Sequence, residues 1–321
     1  MGMNSPNDIS GDNMRENDDP GTHTASGVYA ALGTPRRPQS READAGALLD
    51  YLDLVVQAGV DGLVLFGSTG EFIHFDSDER MRVIALAIRR SRVPVLVNVS
   101  HSTLDGAIEL TENAVGAGAA GVLLMPPYYY QYTDNQLRSF FHHFVKEVDK
   151  ETPRYLYNIP SCTSPISPEL ACELLQSEAF TGIKDSSLNP SLFSALVALR
   201  ARHPFRFLMG HEAWHLKGRE AGADGVVSGV SAALPELPVA IDRAIRNGKL
   251  GQAEVLHARM AELLVWLDKF PGTVAIKQCA AHRGWPLGHF AFPFDEQTDR
   301  ELTVFRNWLD DWLPVVLAEC A

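Results

Sequence analysis

The sequence predicts an α/β chain folded as a TIM (β/α)8 barrel with additional C-terminal helices, and three observations predict it. A helix-stop-strand phrase recurs as Ala58-Gly59-Val60-Asp61-Gly62, Ala117-Gly118-Ala119-Ala120-Gly121 and Ala221-Gly222-Ala223-Asp224-Gly225, each time before an apolar run. The first glycine of the phrase can close a helix in the left-handed conformation, and repetition of the phrase marks repeated βα units. The apolar runs are short and continuous and alternate with helical stretches, the pattern of a parallel sheet covered on both faces. Eight such runs within about 200 residues is the count of a closed barrel with right-handed crossovers.

In chain order, the first 24 residues are rich in Asp, Asn, Gly and Ser and nearly devoid of large apolar side chains. They lack the apolar stretch of a targeting peptide and are expected to form a disordered tail. Residues 28–32 (VYAAL) read as the first strand, and 33–42 (GTPRRPQSRE) as its polar outgoing loop. Residues 45–58 place Leu48, Leu49, Leu52, Val55 and Val56 on one helical face. Further strands are expected at 63–66, 93–99, 122–125, 154–158, 181–184, 205–209 and 226–227. Helices at 78–90, 135–148, 168–176 and 192–201 fall between them, and seven of the links carry a helix. After Pro238 only helices follow, near 239–247, 250–269, 273–283 and 299–317. With Trp266, Trp308 and Trp312 they carry more apolar surface than one barrel wall needs, so they are expected to pack beside the barrel. The expected organisation is a tail over 1–24, a barrel over 25–238 and a helical region over 239–321 packed on it.

Composition excludes several functions. The net charge is −12 and no basic stripe is present, which removes a nucleic-acid partner. An anionic substrate must therefore be held by local groups against the overall field. The four cysteines, Cys162, Cys172, Cys279 and Cys320, are scattered without a CxxC pair. They read as reduced thiols of a cytoplasmic protein, forming neither a disulfide frame nor a zinc site. No apolar run approaches the length of a membrane span.

Chemistry in a barrel of this kind sits at the C-terminal ends of the strands. The second strand ends in Gly67-Ser68-Thr69-Gly70-Glu71, the fourth in Pro126-Pro127-Tyr128-Tyr129-Tyr130, the fifth in Tyr157-Asn158-Ile159-Pro160 and the seventh in Gly210-His211-Glu212. The sixth runs through Phe180-Thr181-Gly182-Ile183 into the lone Lys184. A strand lysine among apolar neighbours is poorly hydrated, and loss of hydration disfavours an ammonium and leaves an amine able to attack a carbonyl. The alternative is a lysine that caps a strand and reaches for solvent. GSTGE offers two hydroxyls and backbone N–H groups between glycines, which suits a carboxylate; it is equally the form of a tight strand-to-helix turn. Neither a dinucleotide fingerprint nor a Walker lysine is present. The phenol of Tyr157 is suited to proton transfer beside a lysine imine, or is a core tyrosine with a bonded hydroxyl. The Tyr128–Tyr130 run serves as a stacking surface, a proton relay or rim packing.

His211-Glu212-Ala213-Trp214-His215 matches the H-E-x-x-H signature of zinc proteases. Zinc requires both histidines on one helix face and a third protein ligand, whereas this motif abuts a strand and is followed within six residues by Ala221-Gly222. A polar substrate contact by Glu212 is the preferred reading.

Together and in this order, GSTGE, PPYYY, YNIP and GIKDSS resemble the dihydrodipicolinate synthase and N-acetylneuraminate lyase family of pyruvate-dependent class I aldolases. The resemblance runs from about Gly27 to Arg246 and is weaker beyond. It implies a (β/α)8 barrel, a homotetramer, and no metal or organic cofactor. By the same resemblance Lys184 forms the imine with a 2-oxo acid substrate and Tyr157 is the general acid and base over it. Ser68 and Thr69, with Gly70, bind the pyruvyl carboxylate, Ser68 also aiding proton relay. Tyr129 matches the tyrosine that reaches a neighbouring subunit's relay. Glu212 falls near the acidic positions that meet sugar hydroxyls in the lyase branch, and Ser228 offers a small contact.

One departure bears on substrate. The synthase branch usually reads YNxPxRT, with an arginine for the carboxylate of the aldehyde substrate, and Cys162 stands in its place. A cysteine makes no bidentate carboxylate contact, which disfavours dihydrodipicolinate synthesis. The sequence thus points to a Schiff-base lyase that cleaves a 2-keto-3-deoxy or 4-hydroxy-2-oxo acid to pyruvate and an aldehyde. A dehydratase of a keto-deoxy sugar acid working through the same imine is the runner-up, and a zinc hydrolase using HEAWH is remote.

Overall fold

A computed structural model describes residues 25–38, 40–287 and 289–321; the expected tail lies outside them. Eight parallel strands close into a barrel in chain order. They are β1 (Gly27–Ala31), β2 (Gly62–Leu65), β3 (Val95–Asn98), β4 (Gly121–Leu124), β5 (Arg154–Asn158), β6 (Gly182–Asp185), β7 (Arg206–Met209) and β8 (Gly225–Ser228). The links carry α1 (Ala45–Gln57), α2 (Ser77–Arg90), α3 (Leu104–Gly116), α4 (Asp134–Glu147), α5 (Pro168–Gln176), α6 (Pro190–Arg200) and α7 (His215–Glu220). The expected third strand, 93–99, shortens at its start because Pro94 has no N–H to give the ladder.

Local chemistry sets the joints. Ser167 and Asn189 accept backbone N–H groups at the starts of α5 and α6, each followed by a proline in the first turn, where its missing N–H costs nothing. Gly59, Gly118 and Gly222 all have positive φ, so the repeated phrase does close α1, α3 and α7 through left-handed residues. The barrel seam closes on glycine: a Cβ at Gly225 would lie 2.0 Å from the carbonyl oxygen of Gly27. The aspartates of the phrase tie the incoming strands, since Val28 donates its N–H to Asp61 at 2.8 Å. Asp224 accepts the N–H of Phe207 at 2.7 Å, a two-pronged bond from Arg200 at 2.6 and 2.7 Å, and Arg206 at 2.8 Å.

Burial alone would raise the Asp224 carboxyl, but the bonds from Arg200, Phe207 and Arg206 hold it below its ordinary 3.8. A carboxyl held low in the folded state contributes stability that is complete above the unfolded value and is lost as pH falls through the folded one. Asp224→Asn is therefore expected to lower the melting temperature near neutral pH, while flattening its fall in the acid range below pH 3.8. Thermal unfolding of both proteins across that range checks this; parallel curves would assign the acid sensitivity elsewhere.

After β8, α8 (Glu236–Arg246) packs against β1 and α7 as the eighth helix of the barrel, and beyond it come α9 (Leu250–Leu267), α10 (Val274–His282) and α11 (Glu296–Cys320). The tryptophans noted in the sequence join α9 to α11: Trp266 lies 5.6 Å from Trp308, which stacks on Trp312 at 4.6 Å between ring centroids. α10 is drawn to the barrel mouth by polar contacts described below. Among the described residues, no helix is long and apolar enough to cross a membrane.

Candidate active site at the barrel mouth

Strand register brings the reactive residues together. Tyr157 of β5 pairs with Lys184 of β6, so both side chains leave adjacent strands at one height. The Lys184 Nζ lies 3.8 Å from the centre of the Tyr157 ring, and both residues are buried. The third member arrives on the turn after β2, where Phe66 and Glu71 both take positive φ. Gly70 permits that winding, because a Cβ there would lie 2.9 Å from the Phe66 Cα and 3.1 Å from the Leu32 carbonyl oxygen. The turn presents Ser68, whose Oγ lies 3.1 Å from the Tyr157 hydroxyl. The chain of groups runs Ser68 Oγ, Tyr157 Oη, Lys184 Nζ. It combines an amine nucleophile with a hydroxyl pair able to pass a proton above it.

These residues line a cavity of about 380 Å³. Of the sequence candidates, Ser68, Thr69, Tyr157, Lys184 and Glu212 belong to its wall. Gly70 and Ser228 stand behind that wall: Gly70 shapes the turn, and the Ser228 Oγ donates to Glu212 Oε1 at 2.8 Å. The same Glu212 oxygen accepts the Val230 N–H at 2.9 Å, so this carboxylate fastens the turn after β8. Tyr129 is 85% exposed, has φ of 83°, and meets Tyr130 edge-on at 4.9 Å. It lies outside the Lys184 cavity, on the rim of a second one.

HEAWH does not form a helix face. Residues 212–214 make a single tight turn, and His215 opens α7. The His211 Nδ1 accepts the Ala213 N–H at 3.2 Å, whereas His215 is fully buried with Nε2 at 3.8 Å from Asp242. Burial lowers the His215 imidazole pKa despite the opposing pull of Asp242. Glu212 is turned to Ser228, so the three members point to three different partners. Among the described residues, no cluster of three His, Cys, Asp or Glu side chains has metal-holding geometry.

Sequence reasoning missed two supports. Asp185, beside Lys184, is buried and accepts from Asn158 Nδ2 at 2.8 Å and from the Ser187 N–H and hydroxyl at 3.1 and 3.0 Å. Asn158 in turn accepts the Ile166 N–H at 3.0 Å. Burial raises the Asp185 carboxyl, with the Asn158 and Ser187 bonds opposing, and the network locks the ends of β5 and β6. The second support is Glu71, which binds Lys277 of α10 at 2.6 Å and Thr273 at 2.8 Å, with Arg36 at 3.5 Å. Lys277 is buried, which lowers its pKa against the pull of Glu71. The signal was present as one lysine inside the apolar stretch Val274-Ala275-Ile276-Lys277. The clamp seats α10 so that Gly272 and Ile276 complete the cavity wall.

Comparison with known proteins agrees with this geometry. Residues 24–311 match the model of the dihydrodipicolinate synthetase family. A 4-hydroxy-tetrahydrodipicolinate synthase of Methanoculleus marisnigri is 31% identical over 289 residues, covering 88% of this chain and 98% of the relative. A probable 2-dehydro-3-deoxy-D-pentonate aldolase of Escherichia coli is 30% identical over 257 residues, covering 78% and 85%. Among solved structures, a dihydrodipicolinate synthase of Aquifex aeolicus superposes with a TM-score of 0.82 at 27% identity over 90% of this chain and 98% of that one. A prophage protein of the same family from Escherichia coli, in complex with pyruvate, superposes with a TM-score of 0.83 at 26% identity over 89% and 98%.

Proposed function

Because this chain belongs to the dihydrodipicolinate synthetase family and is an enzyme of the lyase type, we propose that Lys184 forms a Schiff base with a 2-oxo acid. The preferred reaction is reversible aldol cleavage of a 2-keto-3-deoxy or 4-hydroxy-2-oxo acid to pyruvate and an aldehyde. The observation that carries the proposal is the Lys184 Nζ held 3.8 Å from the Tyr157 ring, with the Tyr157 hydroxyl 3.1 Å from Ser68 Oγ.

Nζ adds to the C2 carbonyl and water leaves, giving an iminium. When the C3–C4 bond breaks, its electron pair flows into the iminium and leaves an enamine. Tyr157 gives its proton to the departing water and, as phenolate, takes the proton of the C4 hydroxyl while that oxygen becomes an aldehyde. It hands that proton to C3 and regains one when water hydrolyses the final iminium. Water then releases pyruvate from Lys184. Ser68 extends the proton path, and Ser68 and Thr69 hold the carboxylate. The buried cavity keeps the enamine from stray protonation and fixes the reacting atoms. The reaction as written uses no metal or organic cofactor. A homotetramer in the cytoplasm is part of the same proposal, and exposed Tyr129 is the residue that would cross to a neighbour.

Two rivals share the imine. Dihydrodipicolinate synthesis is disfavoured by Cys162 in the arginine's place, and a dehydratase would release water without an aldehyde. Borohydride trapping with pyruvate, read by peptide mass spectrometry, tests the common step. A reduced pyruvyl adduct on the Lys184 peptide is expected; no adduct with pyruvate or other 2-oxo acids would defeat the proposal.

A further inference from the structure

We propose that the aldehyde half of the substrate is uncharged and apolar, an alkyl or aryl aldehyde, and that the second cavity receives it. The inference rests on the imine reading above for the position of the bond that breaks. This cavity, of about 400 Å³, adjoins the Lys184 cavity, and Ser68 and Gly272 belong to the walls of both. A chain leaving the imine past Ser68 therefore enters it.

The walls decide what fits. Phe72, Ile73, Met125, Tyr128, Phe290 and Phe292 dominate the lining. Among the described residues neither an arginine nor a lysine lines it, and Lys184 is the one such side chain in the adjoining cavity. Its one wall carboxylate, Glu71, faces away toward Lys277 at 2.6 Å and Arg36 at 3.5 Å, and neither of those cations belongs to the wall. A carboxylate or phosphate on the aldehyde would lose its hydration here and find no lysine or arginine on the wall to pair with. Cys162 lies in the same wall, so the place where an arginine would bind such a group holds a thiol. A polyhydroxylated chain fares little better. Thr273 is spent on Glu71, and the remaining polar side chains are Ser68, His74, Cys162 and the tyrosine hydroxyls. Burial raises the energy of charged His74 and lowers its pKa, which further reduces any attraction for an anion. In the synthetic direction, C3 of the enamine bonds to the aldehyde carbon, the aldehyde oxygen gains a proton, and water frees a 4-hydroxy-2-oxo acid with a hydrocarbon substituent at C4.

The test is an aldehyde panel with pyruvate and the full-length enzyme: benzaldehyde, pentanal, D-glyceraldehyde and succinic semialdehyde, with products identified by mass. We expect kcat/KM for benzaldehyde or pentanal to exceed that for the other two by about tenfold or more, the scale on which apolar pockets discriminate. Cys162→Arg is expected to reverse this order in favour of succinic semialdehyde, and Ile73→Asp, at a solvent-facing wall position, to raise the benzaldehyde KM several-fold. A preference for glyceraldehyde or succinic semialdehyde in an enzyme that traps pyruvate on Lys184 would overturn the inference and leave the imine reading intact. No trapped adduct would overturn both. If Ile73→Asp abolished self-association in sedimentation while leaving aldehyde kinetics unchanged, the wall would be a contact with a second copy, and the inference would fall.

Discussion

Lys184→Ala is expected to abolish borohydride-trappable pyruvate and to lower kcat by about 10⁴-fold or more, since the covalent path disappears with the amine. Lys184→Arg is the stricter companion. It keeps a long nitrogen-bearing side chain over Tyr157 and its contacts to a bound carboxylate, but a guanidinium does not form the imine. Both variants should be inactive, with pyruvate affinity, measured by titration calorimetry, better kept by arginine. Thermal unfolding shows whether either has merely lost its fold, because Lys184 is 3% exposed and truncation leaves a void. An arginine variant with more than a tenth of the parent kcat would show that no bond to Lys184 is made in turnover.

Tyr157→Phe is expected to be the second most damaging change, lowering kcat by roughly 10²–10³-fold, the scale of one positioned acid–base group. The ring stays, so packing over Lys184 stays; the lost atom is the hydroxyl that lies 3.1 Å from Ser68. The adduct with pyruvate should still form, more slowly, so borohydride capture and turnover separate. Pyruvate KM should move far less than kcat, because the phenol acts on protons in transit more than on the bound carboxylate. A fall of less than fivefold would assign proton transfer to another group in the cavity.

The barrel was legible because its rules are local and repeated. Left-handed glycines at 59, 118 and 222, proline-led helix starts and unbroken apolar strands each recur, and helix five is found where it was expected, at 168–176. The imine cavity was half legible. Lys184 and Tyr157 show through the resemblance carried by GIKDSS and YNIP, because strand position alone reads equally as a capping lysine and a core tyrosine. What the sequence leaves out is direction. Glu212 lines the cavity as expected of a substrate contact, but one of its oxygens also ties Ser228 and Val230, a bond set by the turn after β8, over fifteen residues away. Likewise, Glu71 and Lys277 are 206 positions apart, and nothing in either neighbourhood announces the other. Long-range pairs of this kind depend on how whole helices settle, and a single chain of letters carries no periodic mark of it.

The Glu71–Lys277 clamp bears on how such an enzyme diverges. The groups proposed to make and break bonds stand on β5, β6 and the turn after β2, whereas much of the second cavity's wall comes from stretches around 271–274 and 290–292, outside the barrel strands. The buried ion pair and its neighbours, with the apolar face of α10, hold that outer wall in place. Descendants can therefore exchange its aromatic residues one at a time and test new partners for the enamine, with the ancestral reaction untouched. On the proposed chemistry, substrate preference is then the property most open to change and the Lys184–Tyr157 pair the least.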